Sequence, residues 1–117
     1  HDCVMDPWYS LGSHDMLEVA HMAVHVGQMT GVDEMKAMFS AVTENSAKAM
    51  GLEDYGIAKG SNADLVILQA GDAMEAIRLK PNRLFVIRRG QVIAEAPPQT
   101  STVSIGDEKH QVDFRRG

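Results

Sequence analysis

His1-Asp2-Cys3-Val4-Met5-Asp6-Pro7-Trp8-Tyr9-Ser10-Leu11-Gly12 is the stretch on which the reading of this sequence turns. Folded domains seldom open this way, because chain ends fray unless something ties them down. Three carboxyl or thiol groups, an imidazole and two aromatic rings within nine residues have the character of the lip of an active site. The chain is therefore expected to be cut just upstream of that site, as the last piece of a larger enzyme.

Outward from this segment, Ser13 to Leu52 reads as helical. Gly12-Ser13 supplies a start signal, with Ser13 as the expected N-cap and Asp15 in the first turn, where the helix dipole favours an acid. Apolar residues at 16, 17, 19, 20, 22, 23, 24, 26 and 29 cover most of the circumference, so the helix is expected to be buried on more than one side, either against a large body or between subunits. Thr30-Gly31 closes it and Asp33-Glu34 opens a second helix with Met35, Met38, Phe39 and Val42 at helical spacing. A third runs from about Asn45 to Met50 and stops at Gly51, an expected C′ glycine.

After Leu52 the period changes. Asp64–Leu68, Arg83–Arg88, Gln91–Ala94 and Thr102–Ile105 read as strands by length and β-branched content. Arg89-Gly90 is expected to be a tight hairpin turn, Asp72–Leu79 a helical excursion, and Pro97-Pro98 a block to further pairing. The order is loop, helices, then an antiparallel sheet too small to stand alone, which is expected to complete a sheet built elsewhere.

Composition narrows the classes. The 117 residues are 44% apolar, enough for a core, and carry a net charge of −5. Lysine and arginine are dispersed, so no basic stripe offers itself to nucleic acid or an anionic membrane. Met16 to Met29 is broken by Glu18, His21, His25 and Gln28 and is too short to span a bilayer. The single cysteine cannot form an internal disulfide, and the cytoplasm is the expected compartment.

The opening twelve residues closely resemble the segment after the last barrel strand of bacterial cytosine deaminases, in the amidohydrolase superfamily. The Met16-Leu17…His21-Met22…His25-Val26 helix, Asn45-Ser46-Ala47 and Asp54-Tyr55-Gly56-Ile57-Ala58 resemble the same branch. Gly60–Leu68 followed by Val86–Ala94 is similar to the superfamily's C-terminal signature. The resemblance covers nearly the whole chain and fades after Pro97.

It implies an α/β fold: the C-terminal piece of a metal-dependent (β/α)8 barrel plus part of a small accompanying β-sandwich. Residues 1–52 would hold the end of barrel strand eight, the active-site loop and the last barrel helices, and 53–117 the C-terminal part of the sandwich. Active sites of such barrels lie at the C-terminal ends of the strands. The family's four histidine ligands lie on earlier strands, so the fragment alone is expected to be inactive. The implied cofactor is one divalent ion, Fe2+ or Zn2+.

Asp2 matches the family's strand-eight aspartate. The resemblance implies that it ligates the metal and is catalytic, carrying a proton from metal-acidified water to the departing amine. Trp8 matches the tryptophan that packs against the substrate ring, a contact worth about 1–3 kcal/mol by analogy with base–aromatic stacking. The plain alternative is a core tryptophan after a proline turn. Asp6-Pro7 is assigned to shaping the loop, Asp6 by bonding its own backbone.

Cys3 stands where the cytosine deaminase pattern has a second aspartate beside the pyrimidine edge. A thiol is less hydrated and normally uncharged below about pH 8.5. It should leave room for an apolar ring substituent, so that 5-substituted cytosines such as 5-methylcytosine are expected substrates. The competing reading, a nucleophilic Cys3, lacks a base near it in sequence. Met5 replaces a bulkier aromatic, a second sign of a reshaped pocket.

His21 and His25, four apart with Glu18 on a similar face, have the spacing of a metal site. The resemblance instead sets them on a helix outside the barrel, packing or hydrogen-bonding. His1 borders the expected ligand. Met16, Met22, Met29, Met35 and Met38 follow helix faces and are expected in core or subunit contacts, the chain working as a homo-oligomer. The expected substrate is a small pyrimidine or related heterocycle. Alternatives are an amidohydrolase of a triazine or cyclic amide and, from another class, a standalone interaction module. An upstream reading frame with a His-x-His strand would decide between enzyme and module.

Overall fold

The computed structural model describes residues 3–115, and its regular elements begin with three helices, α1 (Met16–Val26), α2 (Val32–Ala41) and α3 (Glu44–Ala49). Then come β1 (Leu65–Leu68), α4 (Ala73–Leu79), β2 (Arg83–Arg88), β3 (Gln91–Glu95), β4 (Ser101–Ile105) and β5 (Glu108–Val112).

The N-cap of α1 is Asp15, correcting the expectation of Ser13: its carboxylate accepts the Leu17 N–H at 2.8 Å. A charged cap also completes an ion pair across the molecule, Arg83 Nη2 to Asp15 Oδ1 at 2.5 Å. Ser13 instead donates its hydroxyl to Glu18 Oε2 at 2.6 Å. The helix stops at Gly27 rather than Thr30-Gly31, and Gly31 is the N-cap of α2, bracing Glu34 through its backbone N–H at 2.8 Å. Gly51 does close α3. It takes φ +67°, its N–H reaches Lys48 O at 3.1 Å and the next N–H, of Leu52, reaches Ala47 O at 3.0 Å, the paired bonds of a Schellman end.

Within this chain helix α1 buries one face, Leu17, Ala20 and Val24. Met16, Met22 and Val26 remain exposed. The buried face meets Ala76 and Ile77 of α4, with Met29, Met35, Met38, Phe39, Val42, Leu68 and Ala70 packed around it. Met29, Met35 and Met38, three of the five methionines expected on helix faces, therefore fill the core margin, where a flexible thioether suits irregular gaps. Helix α4 is the excursion expected between strands, capped by Asp72, whose carboxylate accepts Glu75 N–H at 2.8 Å.

Strands β1, β2 and β3 form one antiparallel sheet in that order. The two-residue turn Arg89-Gly90 has positive φ at both positions, 48° and 79°, the geometry that matches strand twist. Asp64 locks this turn, accepting Arg89 N–H at 2.6 Å and Arg88 Nη1 at 3.0 Å. The last expected strand does not join the sheet. It pairs instead with β5, a strand not foreseen because Glu108-Lys109-His110-Gln111 lacks the apolar and β-branched pattern. Pro97-Pro98 separates the two sheets. Among the described residues no helix is long and apolar enough to cross a membrane.

Candidate active site

The loop before α1 is held by backbone and by one carboxylate. Met5 N–H reaches Leu11 O at 3.2 Å, closing its base, and Asp6 N–H reaches Tyr9 O at 3.1 Å. Asp6 Oδ1 accepts Trp8 N–H at 2.8 Å and Tyr9 N–H at 3.0 Å. The Cys3 thiol and the Val4 N–H also act on this carboxylate and favour its ionised form. These bonds, that of Cys3 foremost, hold the Asp6 carboxyl below its ordinary value. The thiol is pushed the other way, chiefly by that hydrogen bond and secondarily by desolvation.

Two of the five non-glycine residues with positive φ among the described residues lie in this loop. Met5 (φ 51°) and His14 (φ 57°) occupy the left-handed region without being glycine. Such positions cost roughly 1–3 kcal/mol each and persist where surroundings over-determine them.

The expected site residues fare differently. Asp2, with His1, lies outside the described residues. Cys3 is half-buried and bound to Asp6. A neighbouring carboxylate that stabilises the protonated thiol is the opposite of what a nucleophilic cysteine needs. Trp8 is 89% exposed, which removes the core-tryptophan alternative within this chain. Asp6 shapes the loop as expected, but its bond to the thiol went unforeseen; an acid three residues after a cysteine is too common a spacing to signal it.

The helical imidazoles do not make a metal centre. His21 Nδ1 lies 2.9 Å from Ile77 O, and the His21 and His25 rings meet edge to face at 4.7 Å between centroids. Among the described residues no group of three His, Cys, Asp or Glu is arranged to hold a metal ion. The residues described do not by themselves fit the ion the fold implies.

A groove of about 460 Å³ runs between the start of α1, the α2–α3 corner and β1, with Phe39, Tyr55, Leu65 and Arg83 in its walls. Neither Cys3 nor Trp8 lines it. The loop instead presents Trp8 outward, away from the core of this chain.

Comparison with known proteins sets this geometry in context. The model of the amidohydrolase family matches residues 1–95. The chain belongs to the amidohydrolase family. Among solved structures it is similar to 5-methylcytosine deaminase from Klebsiella pneumoniae liganded with phosphonocytosine, at 38% identity and a TM-score of 0.78, over 84% of this chain and 24% of that one. Among curated proteins it is 30% identical to N-isopropylammelide isopropyl amidohydrolase of Pseudomonas sp. (strain ADP), over 80% of this chain and 24% of the relative. It is 33% identical to pterin deaminase of Rhizobium rhizogenes, over 83% and 22%. The chain thus spans about a quarter of the length of these relatives. Amidohydrolase neighbours imply a TIM-barrel fold; the described residues form a small mixed α/β unit with no barrel of their own. Members of the superfamily are generally metal-dependent, and the deaminase neighbours act on small heterocycles.

Proposed function

We propose that this chain is the C-terminal part of a metal-dependent deaminase that hydrolyses cytosine, or a 5-substituted cytosine, to the ring carbonyl and ammonia. Residues 1–52 contribute the end of strand eight of the (β/α)8 barrel, the site loop and the last barrel helices. Residues 53–117 contribute the C-terminal part of the β-sandwich. The chain alone is inactive, because the histidines of the metal centre lie on earlier strands. One divalent ion, Fe2+ or Zn2+, would be held there with Asp2, and when bound would supply a water of lowered pKa. The Asp2 carboxylate accepts a proton at its oxygen and returns it to the leaving amine. The indole of Trp8 forms one wall for the ring, and the Cys3 thiol faces the ring edge as an uncharged group. The enzyme works as a homo-oligomer in the cytoplasm, without nucleic acid or membrane; the exposed Met16, Met22 and Val26 of α1 support further covering surfaces.

The observation that carries this reading is the braced loop, which turns an 89% exposed Trp8 away from its own core. The similarity to a deaminase liganded with phosphonocytosine supports the ring class. A second reading, an amidohydrolase of a different ring such as a triazine or cyclic amide, draws on the similarity to N-isopropylammelide isopropyl amidohydrolase.

The test is ammonia release by the full-length gene product, metal-loaded, from cytosine and 5-methylcytosine, with amine release from N-isopropylammelide in parallel. Turnover of the cytosines, nearly abolished in Asp2→Asn with the circular dichroism unchanged, is the expected result. Near-normal turnover in that variant removes Asp2 from the chemistry. Turnover of N-isopropylammelide alone moves the assignment to the second reading.

A further inference from the structure

We infer that Asp6 is the positioning residue of the candidate ring-binding face, one carboxylate that fastens the turn carrying Trp8, in the same short loop as Cys3, in the orientation the substrate meets. The inference rests on the proposed deaminase reading for its functional half and on the loop geometry for the rest. The indole is 89% exposed, so packing within this chain does not orient it. Its backbone is oriented through its N–H on Asp6 Oδ1 at 2.8 Å, reinforced by the Tyr9 N–H at 3.0 Å on the same oxygen. The Cys3 thiol and the Val4 N–H act on the same carboxylate and favour its ionised form. The reciprocal Asp6 N–H to Tyr9 O bond, 3.1 Å, and the Met5 N–H to Leu11 O bond, 3.2 Å, close the turn around it. A carboxylate oxygen that already accepts two N–H groups of its own loop is set up to hold geometry. Displacing a ring contact by about 1 Å can cost on the order of 100-fold in rate, so such a brace bears directly on turnover.

Asparagine and alanine at this position separate bracing from bulk. Asn keeps one carbonyl oxygen, which can still accept the Trp8 and Tyr9 N–H groups as an Asx turn does. Ala removes every acceptor. In the full-length protein, Asp6→Ala should speed amide exchange at Trp8 and Tyr9 by about tenfold, the scale of one net hydrogen bond, and Asp6→Asn should largely restore it. Unchanged exchange in Asp6→Ala overturns the brace, whether or not the protein turns over any ring. In the active enzyme, Asp6→Ala should raise KM more than it lowers kcat, Asp6→Asn should recover most of the KM, and the melting temperature should hold. In a Cys3→Ala, Trp8→Ala background, Asp6→Ala should add less than about a twofold further loss, since its effect passes through those two residues. A full additional loss there, or faster exchange with unchanged KM, overturns the positioning role. A wild-type protein inactive on every ring tested defeats the deaminase reading alone, the brace being judged by exchange.

Discussion

Removing most of the Ile77 side chain should uncouple α4 from the helices. Ile77 is 1% exposed, packed in one cluster with Leu17, Ala20 and Val24 of α1, and it lies in the segment that joins β1 to β2. Ile→Ala at such a site costs about 2–5 kcal/mol and Ile→Val about 0.5–1.5. At 1.4 kcal/mol per decade, these become losses of protection of roughly 30- to several-thousand-fold and roughly 2- to 12-fold. The readout is native-state hydrogen exchange over Ala73–Leu79 and Met16–Val26 in the full-length protein, which follows local opening whatever the length of the chain. The His21 Nδ1 contact to Ile77 O, 2.9 Å, involves the backbone and survives both substitutions, so the graded loss isolates the side chain. A change below about threefold in Ile77→Ala would refute the reasoning, since a buried side chain that costs nothing to delete is not holding two elements together.

The remaining expectations are briefer. Cys3→Asp should shift the ratio of kcat/KM for 5-methylcytosine over cytosine toward cytosine by about fourfold or more, because a buried methyl is worth about 0.8 kcal/mol and an acid at that edge resists desolvation; an unmoved ratio takes Cys3 off the ring edge. The Asp6 carboxyl, whose folded pKa lies below the ordinary 3.8, contributes loop stability that is complete above that value and lost as pH falls through the folded one. Carboxyl NMR should find its midpoint below 3.8, and a midpoint at or above that contradicts the bracing of the loop by this carboxylate. Expressed alone, the 117-residue chain should aggregate, given exposed Val66, Ile67, Val92 and Ile93 on sheet strands without partners on their outer edges. A soluble monomer with a sharp thermal transition would favour the standalone module.

Local signals carried most of the elements. Gly51 and Gly90 are readable as punctuation because glycine takes positive φ without steric cost, whereas the positive φ of Arg89 is imposed by the turn. Likewise β2 is legible through its β-branched content and the helix over Ala73–Leu79 falls within the excursion expected over Asp72–Leu79, while its capping by Asp72 emerges only in the structure. The self-bonding of Asp6 in the loop was legible for the same reason, since its partners lie two and three residues away.

What the sequence did not disclose depends on partners far along the chain. Asp15 rather than Ser13 caps α1 in a fold where Arg83 arrives from β2 to meet it. Strand β5 has no pattern of its own and exists because β4 offers it an edge. The apolar surplus of α1 exceeds what this chain itself covers: the Leu17–Ala20–Val24 face is buried and Val26 is exposed. Propensities and turn chemistry act over a few residues and can be read in one dimension. Which of several adequate caps, edges and apolar faces is used is settled by the long-range contacts that reach them, and those exist only once the chain has closed on itself.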